Sequence, residues 1–262
     1  MTDVAPVPLD GVVFDVDDTL VDTRRAFVAA LAVVARTYLP HLSPDRHREV
    51  VAAWRADTAG HYRRYTRGEV PYPVQRMARA NELHAAFGGP VLDDAGFQQW
   101  DALFERAFSG AWAALPGASR TVDTLLAAGL RVGALTNAAV AYQRTKLARA
   151  GMAERVPLLV GVDTLGVGKP DPRVFHEACR RLGTTPERTA YVGDELDIDA
   201  RAAIAVGMVG VWFDPPGERR VEIPPTAIAA GLAAGVRVAT SLDEVPALLG
   251  LGPVLADGRP LH

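Results

Sequence analysis

Six short aliphatic runs constrain this chain more than anything else in it: Gly11–Phe14, Leu130–Leu135, Val156–Val160, Thr189–Val192, Met208–Phe213 and Val236–Ala239. Most are continuously apolar instead of alternating, which is the pattern of strands buried on both faces of a parallel sheet. Helical patterns separate them. Val122, Leu125 and Leu126 share one face of a segment that stops at Gly129. Pro172 opens another helix, with Phe175, Cys179 and Leu182 as its stripe and Gly183 beyond its end. Ser241 to Glu244 reads as a capping box for a last helix. Repeated βα units of this kind build a doubly wound parallel sheet of the α/β class.

One stretch breaks the rhythm. From about Thr23 to about Trp112 no strand is readable, while Phe27, Ala30, Leu31 and Val34, and then Phe97, Trp100, Phe104 and Phe108, recur at helical spacing. The chain therefore reads as an α/β core, residues 1–22 and 113–262, with an inserted helical domain, residues 23–112. The crossings near Thr23 and Trp112 are natural hinges.

A net charge of −3 gives no electrostatic case for nucleic acid or an anionic membrane. The single cysteine, Cys179, has no internal disulfide partner. With no signal-peptide pattern at the N-terminus and no apolar run long enough to span a bilayer, the expected location is cytoplasmic.

Ligands bind at the carboxyl ends of strands in open α/β sheets. After the first run comes "DVDDT", with Asp15, Asp17 and Asp18; after the second "TNA", with Thr136 and Asn137; after the third "GVDTLGVGKPDP", with Lys169; after the fourth "GDELDID", with Asp194, Glu195 and Asp199. Crowded carboxylates repel, and burial makes each one more costly, so a cation is expected among them. Mg²⁺ prefers oxygen ligands and keeps waters that a phosphate can replace. Asp15, Asp17, Asp194 and Asp199 against Mg²⁺ and Lys169 leave a near-neutral site if Asp17 carries a proton, as a general acid must. Asp15 and Asp17 are two apart, so in extended backbone both point to one side, one to attack and one to move a proton. Thr136 and the Asn137 N–H, at an expected helix start, can bond a phosphate.

These four motifs in this order resemble the haloacid dehalogenase (HAD) superfamily, in the branch with a helical cap of the C1 type after the first strand. The resemblance implies a HAD-like Rossmannoid core, Asp15 as nucleophile and Asp17 as acid/base. It implies Thr136 and Lys169 as phosphate contacts, and Mg²⁺ held by Asp15, Asp194 and the main-chain carbonyl of Asp17. Asp199 would support the metal shell. Glu195 stands where relatives often carry serine and is a candidate additional ligand. The dehalogenases of this superfamily lack the second acidic residue of the first motif, so the retained Asp17 favours a phosphatase acting through an aspartyl phosphate on a small phosphorylated metabolite. A sugar-phosphate mutase shares the same motifs, and a non-catalytic binding protein would be expected to have lost acidic positions that are present here. In the insertion, Tyr62, Arg63, Arg64 and Arg67 are candidates to meet the substrate, against the reading that they form a solvated face whose aromatics pack the cap.

Overall fold

The computed structural model describes residues 8–66, 69–217, 219 and 222–251. The apolar runs form the strands β1 (Gly11–Phe14), β2 (Arg131–Leu135), β3 (Leu158–Val160), β4 (Thr189–Gly193), β5 (Val209–Phe213) and β6 (Arg237–Ala239). They make one sheet in the order β3-β2-β1-β4-β5-β6, with every neighbouring pair parallel. β1 is central, and all four of its residues are buried. The chain runs outward from β1 through β2 to β3, then crosses back to β4. The switch point therefore lies between β1 and β4, where such sheets bind ligands.

Helices follow the strands: α1 (Thr23–Tyr38), α2 (His47–Ala56), α3 (His61–Thr66), α4 (Tyr72–Phe87) and α5 (Asp94–Gly110) after β1, then α6 (Ala118–Ala127), α7 (Val140–Arg149), α8 (Val162–Leu165) and α9 (Pro172–Leu182). Beyond β4 come a π-helical turn (Leu196–Arg201), α10 (Ala202–Ala205), α11 (Pro225–Ala233) and α12 (Val245–Leu248). The ends of α9 have local causes. The Asp171 carboxylate accepts from the Arg173 N–H (2.9 Å) at its start, and Gly183 takes φ 73° at its end. Its apolar stripe, with Phe175, Cys179 and Leu182, packs on the sheet face carrying Val13, Leu135 and Tyr191. Phe175 and Leu182 each contribute about 1.5–3 kcal/mol by leaving water. On α6, Val122 and Leu125 are buried but Leu126 is exposed, so its apolar face is narrower than the sequence suggests. At the expected capping box, Ser241 Oγ accepts from Asp243 N (3.3 Å) and Glu244 accepts from Thr240 N (2.9 Å).

The chain divides into two compact units, residues 1–22 with 113–262, and residues 23–112. In the first unit the two crossings are stitched together. Val21 bridges Ala114 in antiparallel fashion, Asp22 N donates to Ala113 O (3.0 Å) and Leu115 N donates to Leu20 O (2.9 Å). The described elements of the second unit are helices, and it has its own core, in which Trp100, Phe104 and Phe108 of α5 lie along one stripe with Phe27 and Trp54 against them. Among the described residues, no helix is long and apolar enough to cross a membrane.

Candidate active site

Backbone hydrogen bonds at the strand ends fix the first site residues. Asp15 follows β1, and its N–H donates to the Val192 carbonyl of β4 (2.8 Å). Thr136 follows β2, and its N–H donates to Val160 of β3 (2.9 Å). Asp194 follows β4 directly, at the switch point beside Asp15.

Lys169 ties these ends together. It is buried, and its Nζ donates to Asp15 Oδ1 (2.7 Å), Asp199 Oδ1 (2.7 Å) and the Tyr191 hydroxyl (2.9 Å). An ammonium has three hydrogens. All three are used within the protein, so a phosphate oxygen would have to take one of them over. Burial alone would push Lys169 down, but Asp15 and Asp199 outweigh it and hold its pKa well above the usual lysine value. The loop carrying Lys169 is clamped by Asn137, whose side chain donates to the Lys169 carbonyl (3.0 Å) and accepts from its N–H (2.6 Å). A Cβ at Gly168 would lie 2.4 Å from Asn137 Oδ1, so this clamp requires glycine there. Gly193 is constrained in the same way by the Asp199 carboxylate, also 2.4 Å from a hypothetical Cβ.

Asp15, Asp194 and Asp199 each bring a carboxylate oxygen within 4.8 Å of the others. Burial pushes Asp15 up to about 7, against the pull of Lys169 and with Asp199 and Asp17 adding to it. Burial also drives Asp194 well above the carboxylate range, reinforced by Asp15, Asp199, Asp18 and Glu195. The donor set is all oxygen and short of positive charge, which suits a hard divalent cation such as Mg²⁺. Glu195 is partly exposed, and its backbone N–H donates to Asp199 Oδ2 (3.0 Å). Asp199 thus joins Lys169 to the turn after β4.

Asp17 has a different set of partners. Its Oδ1 accepts from Lys146 Nζ (2.5 Å) and its Oδ2 from Gln143 Nε2 (2.5 Å), both buried residues of α7. Gln143 Nε2 also donates to Thr136 Oγ1 (3.1 Å), which accepts from Ala138 N as well (3.3 Å). A hydroxyl has two lone pairs and one hydrogen. Both lone pairs of Thr136 are filled, which leaves it to donate, the polarity an anionic oxygen needs. The sequence-based charge count is corrected by Lys146. With Lys146 counted, four carboxylates stand against two lysines and a divalent ion, so the free site balances and it is the added charge of a phosphate ester that favours a proton on Asp17. α7 starts at Val140, after an N-cap at Ala139, so Asn137 lies in the preceding loop and its N–H is not at a helix start.

Among the insertion candidates, Arg63 and Arg64 are exposed, and Arg64 pairs with Glu69 (3.4 Å). Tyr62 is half-buried against Tyr65, which meets Tyr72 edge-on. Arg67 lies outside the described residues. Among the described residues of the insertion, Arg76 is buried and Arg79 is partly buried. Arg76 bonds Asp101 (2.5 Å) and Glu105 (2.6 Å) and lies over the Phe104 ring, while Arg79 lies over Trp54. Sequence reasoning missed Gln143, Lys146 and Tyr191. The first two stand three apart on α7, on the face that Leu147 also buries, and that spacing was the available signal.

A parallel sheet with clustered carboxylates and a lysine at its switch point, and helices inserted after its first strand, define an α/β protein with an acidic site at its strand ends. The family model for haloacid dehalogenase-like hydrolases matches residues 9–207, and the chain belongs to that family. A segment of 96 residues, 37% of this chain, is 42% identical to the glyceraldehyde 3-phosphate phosphatase of Methanopyrus kandleri and spans 41% of that protein, less than half its length. Over 210 residues the chain is 30% identical to the glyceraldehyde 3-phosphate phosphatase of Methanothermobacter thermautotrophicus, covering 78% of this chain and 84% of that one. The HAD-hydrolase YfnB of Bacillus subtilis, solved bound to magnesium, superposes with a TM-score of 0.70 at 19% identity, over 93% of this chain and 99% of that chain. At that identity the likeness is one of fold.

Proposed function

We propose that the protein is a Mg²⁺-dependent phosphatase that cleaves a small phosphorylated metabolite through an aspartyl phosphate on Asp15. The observation that carries this reading is Lys169 bound to Asp15 and Asp199 within a three-carboxylate cluster, beside a threonine hydroxyl left free to donate. Asp15, Asp194 and the Asp17 carbonyl are the groups to hold Mg²⁺. When bound, the ion would offset the charge of the phosphoryl group and of the crowded carboxylates. Asp15 attacks phosphorus and the ester oxygen departs with a proton from Asp17. Asp17 then takes a proton from the water that cleaves the aspartyl phosphate, which frees phosphate and restores both residues. Thr136 and Lys169 hold the phosphoryl oxygens, Lys169 by exchanging one of its present acceptors. Asn137 serves by clamping the Lys169 loop. The inserted helices are the part of the chain left to choose the substrate, and phosphatases among the relatives support a small phosphorylated metabolite as its class.

Phosphate release from p-nitrophenyl phosphate is the direct test. Release should require Mg²⁺ and stop with chelator. Asp15→Asn should lower turnover by at least about 10³-fold while the far-UV spectrum stays native. Turnover that is indifferent to chelator, or retained in Asp15→Asn, would refute the reading.

A further inference from the structure

A lysine on a helix surface ordinarily keeps its ammonium in water, because desolvating it costs several kcal/mol unless a partner compensates. Lys146 breaks that habit. Arg144 and Thr145 beside it are exposed, yet Lys146 is only 2% exposed and Gln143 is fully buried. Both aim donors at one carboxylate, one at each oxygen of Asp17. Gln143 also leaves its Oε1 buried without a partner. Such an orphan acceptor is costly, and turning the amide over would set that oxygen against the Asp17 carboxylate instead. The chain accepts these costs on α7 where both residues hold Asp17 and Gln143 reaches Thr136 as well.

We propose that Lys146 and Gln143 are positioning residues that clasp Asp17 for proton transfer to the leaving oxygen, and that Gln143 sets its distance from the phosphate-binding hydroxyl of Thr136. This rests on the phosphatase reading and deepens it. Both partners donate, and neither presents to Asp17 an acceptor that would take the proton it passes on. They fix the rotamer of the carboxyl group that is to meet the reacting oxygen. Gln143 shares its amide between Asp17 and Thr136, so the acid and the phosphoryl group are held in one frame. Misplacing a catalytic group by a fraction of an ångström is enough to lose much of its effect. The clasp acts on the proton and not on phosphate affinity.

Leaving-group dependence isolates that role. p-Nitrophenolate departs without needing a proton, whereas p-methylphenolate needs one. Turnover of p-nitrophenyl, phenyl and p-methylphenyl phosphates is measured at saturating Mg²⁺ for wild type, Lys146→Met, Gln143→Met, Asp17→Asn and Asp17→Asn with Lys146→Met. General acid catalysis is worth about 10²–10⁴-fold. Lys146→Met should therefore lose about tenfold more on p-methylphenyl phosphate than on p-nitrophenyl phosphate, with KM nearly unchanged. In the Asp17→Asn background the same substitution should cost less than about twofold, since its route of action is already gone. Gln143→Met carries the same test should Lys146→Met fail to fold. Equal losses across the three esters, or a full loss added to Asp17→Asn, would overturn the clasp while leaving the phosphatase reading standing. A wild type that hydrolyses none of them would overturn both.

Discussion

Asp15 faces two conflicting demands. In the proposed reaction it must be ionised to attack phosphorus, yet burial, with Asp199 and Asp17 adding to it, pushes it up to about 7. Its ordinary value is 3.8. Between those two values the metal-free folded protein holds a proton that the unfolded chain has lost. This group's contribution to stability is therefore complete below the lower value and is lost as pH rises through about 7. A divalent ion on Asp15 must displace that proton. Below neutrality, Mg²⁺ affinity should fall about tenfold for each pH unit. Calorimetric titration with Mg²⁺ at about pH 6 and about pH 8 checks this, and equal affinities would remove Asp15 from the ligand set. At this scale the sequence was informative about acids and weak about their partners. Asp15, Asp194 and Asp199 stood out because carboxylates after aliphatic runs have no cheap structural use. Tyr191, Gln143 and Lys146 did not, because a tyrosine in a strand or a lysine on a helix has many ordinary uses.

The same contrast holds for whole elements. Strands were legible because double-sided burial writes continuous apolar runs, and all six lie within two residues of their expected limits. α7 was not legible as a functional element, since its buried face includes Gln143 and Lys146 where a core helix would be apolar. α4 in the insertion hides its role similarly. It buries Gln75, Arg76 and His84 beside Ala80 and Leu83. His84 Nδ1 meets the Pro90 carbonyl (2.6 Å), its ring lies against Tyr38 and Trp100, and its Nε2 is buried without a partner. Burial holds its pKa below 6.5 despite the Pro90 bond. The unfolded chain therefore takes up the proton first as pH falls. The stability that α4 draws from neutral His84 is complete above the ordinary histidine value and is lost as pH falls below it and through the lower folded value. Urea unfolding followed at about pH 8 and about pH 5.5 should show this loss, and His84→Gln should flatten it. An unchanged slope in that variant would assign the acid sensitivity to another group.

At the scale of the molecule, the ligands proposed for the ion all belong to the unit formed by residues 1–22 and 113–262, while the helices of residues 23–112 close around an aromatic core of their own. The insertion enters and leaves through the ladder at Val21 and Ala114. Its unfolded form is then a loop of roughly 90 residues with tethered ends, and the folded core stabilises the insertion by reducing the entropy of that loop. Coupling of this kind needs only the tether and does not involve the ion. A weakened insertion should leave the Mg²⁺ response intact. Arg76→Met supplies the test, since it removes a buried cation from Asp101, Glu105 and the Phe104 ring. Its two acids are partly exposed, so the cost should fall near 2 kcal/mol, below the about 3–5 kcal/mol of a fully buried pair. If the units are joined only by the tether, Mg²⁺ should stabilise Arg76→Met and wild type equally, within about 0.5 kcal/mol. Thermal unfolding of both proteins with and without Mg²⁺ measures the two effects together. A Mg²⁺ stabilisation that shrinks in the variant would mean that the helical unit contributes to holding the ion, and would move part of the site outside the strand ends from which it is built here.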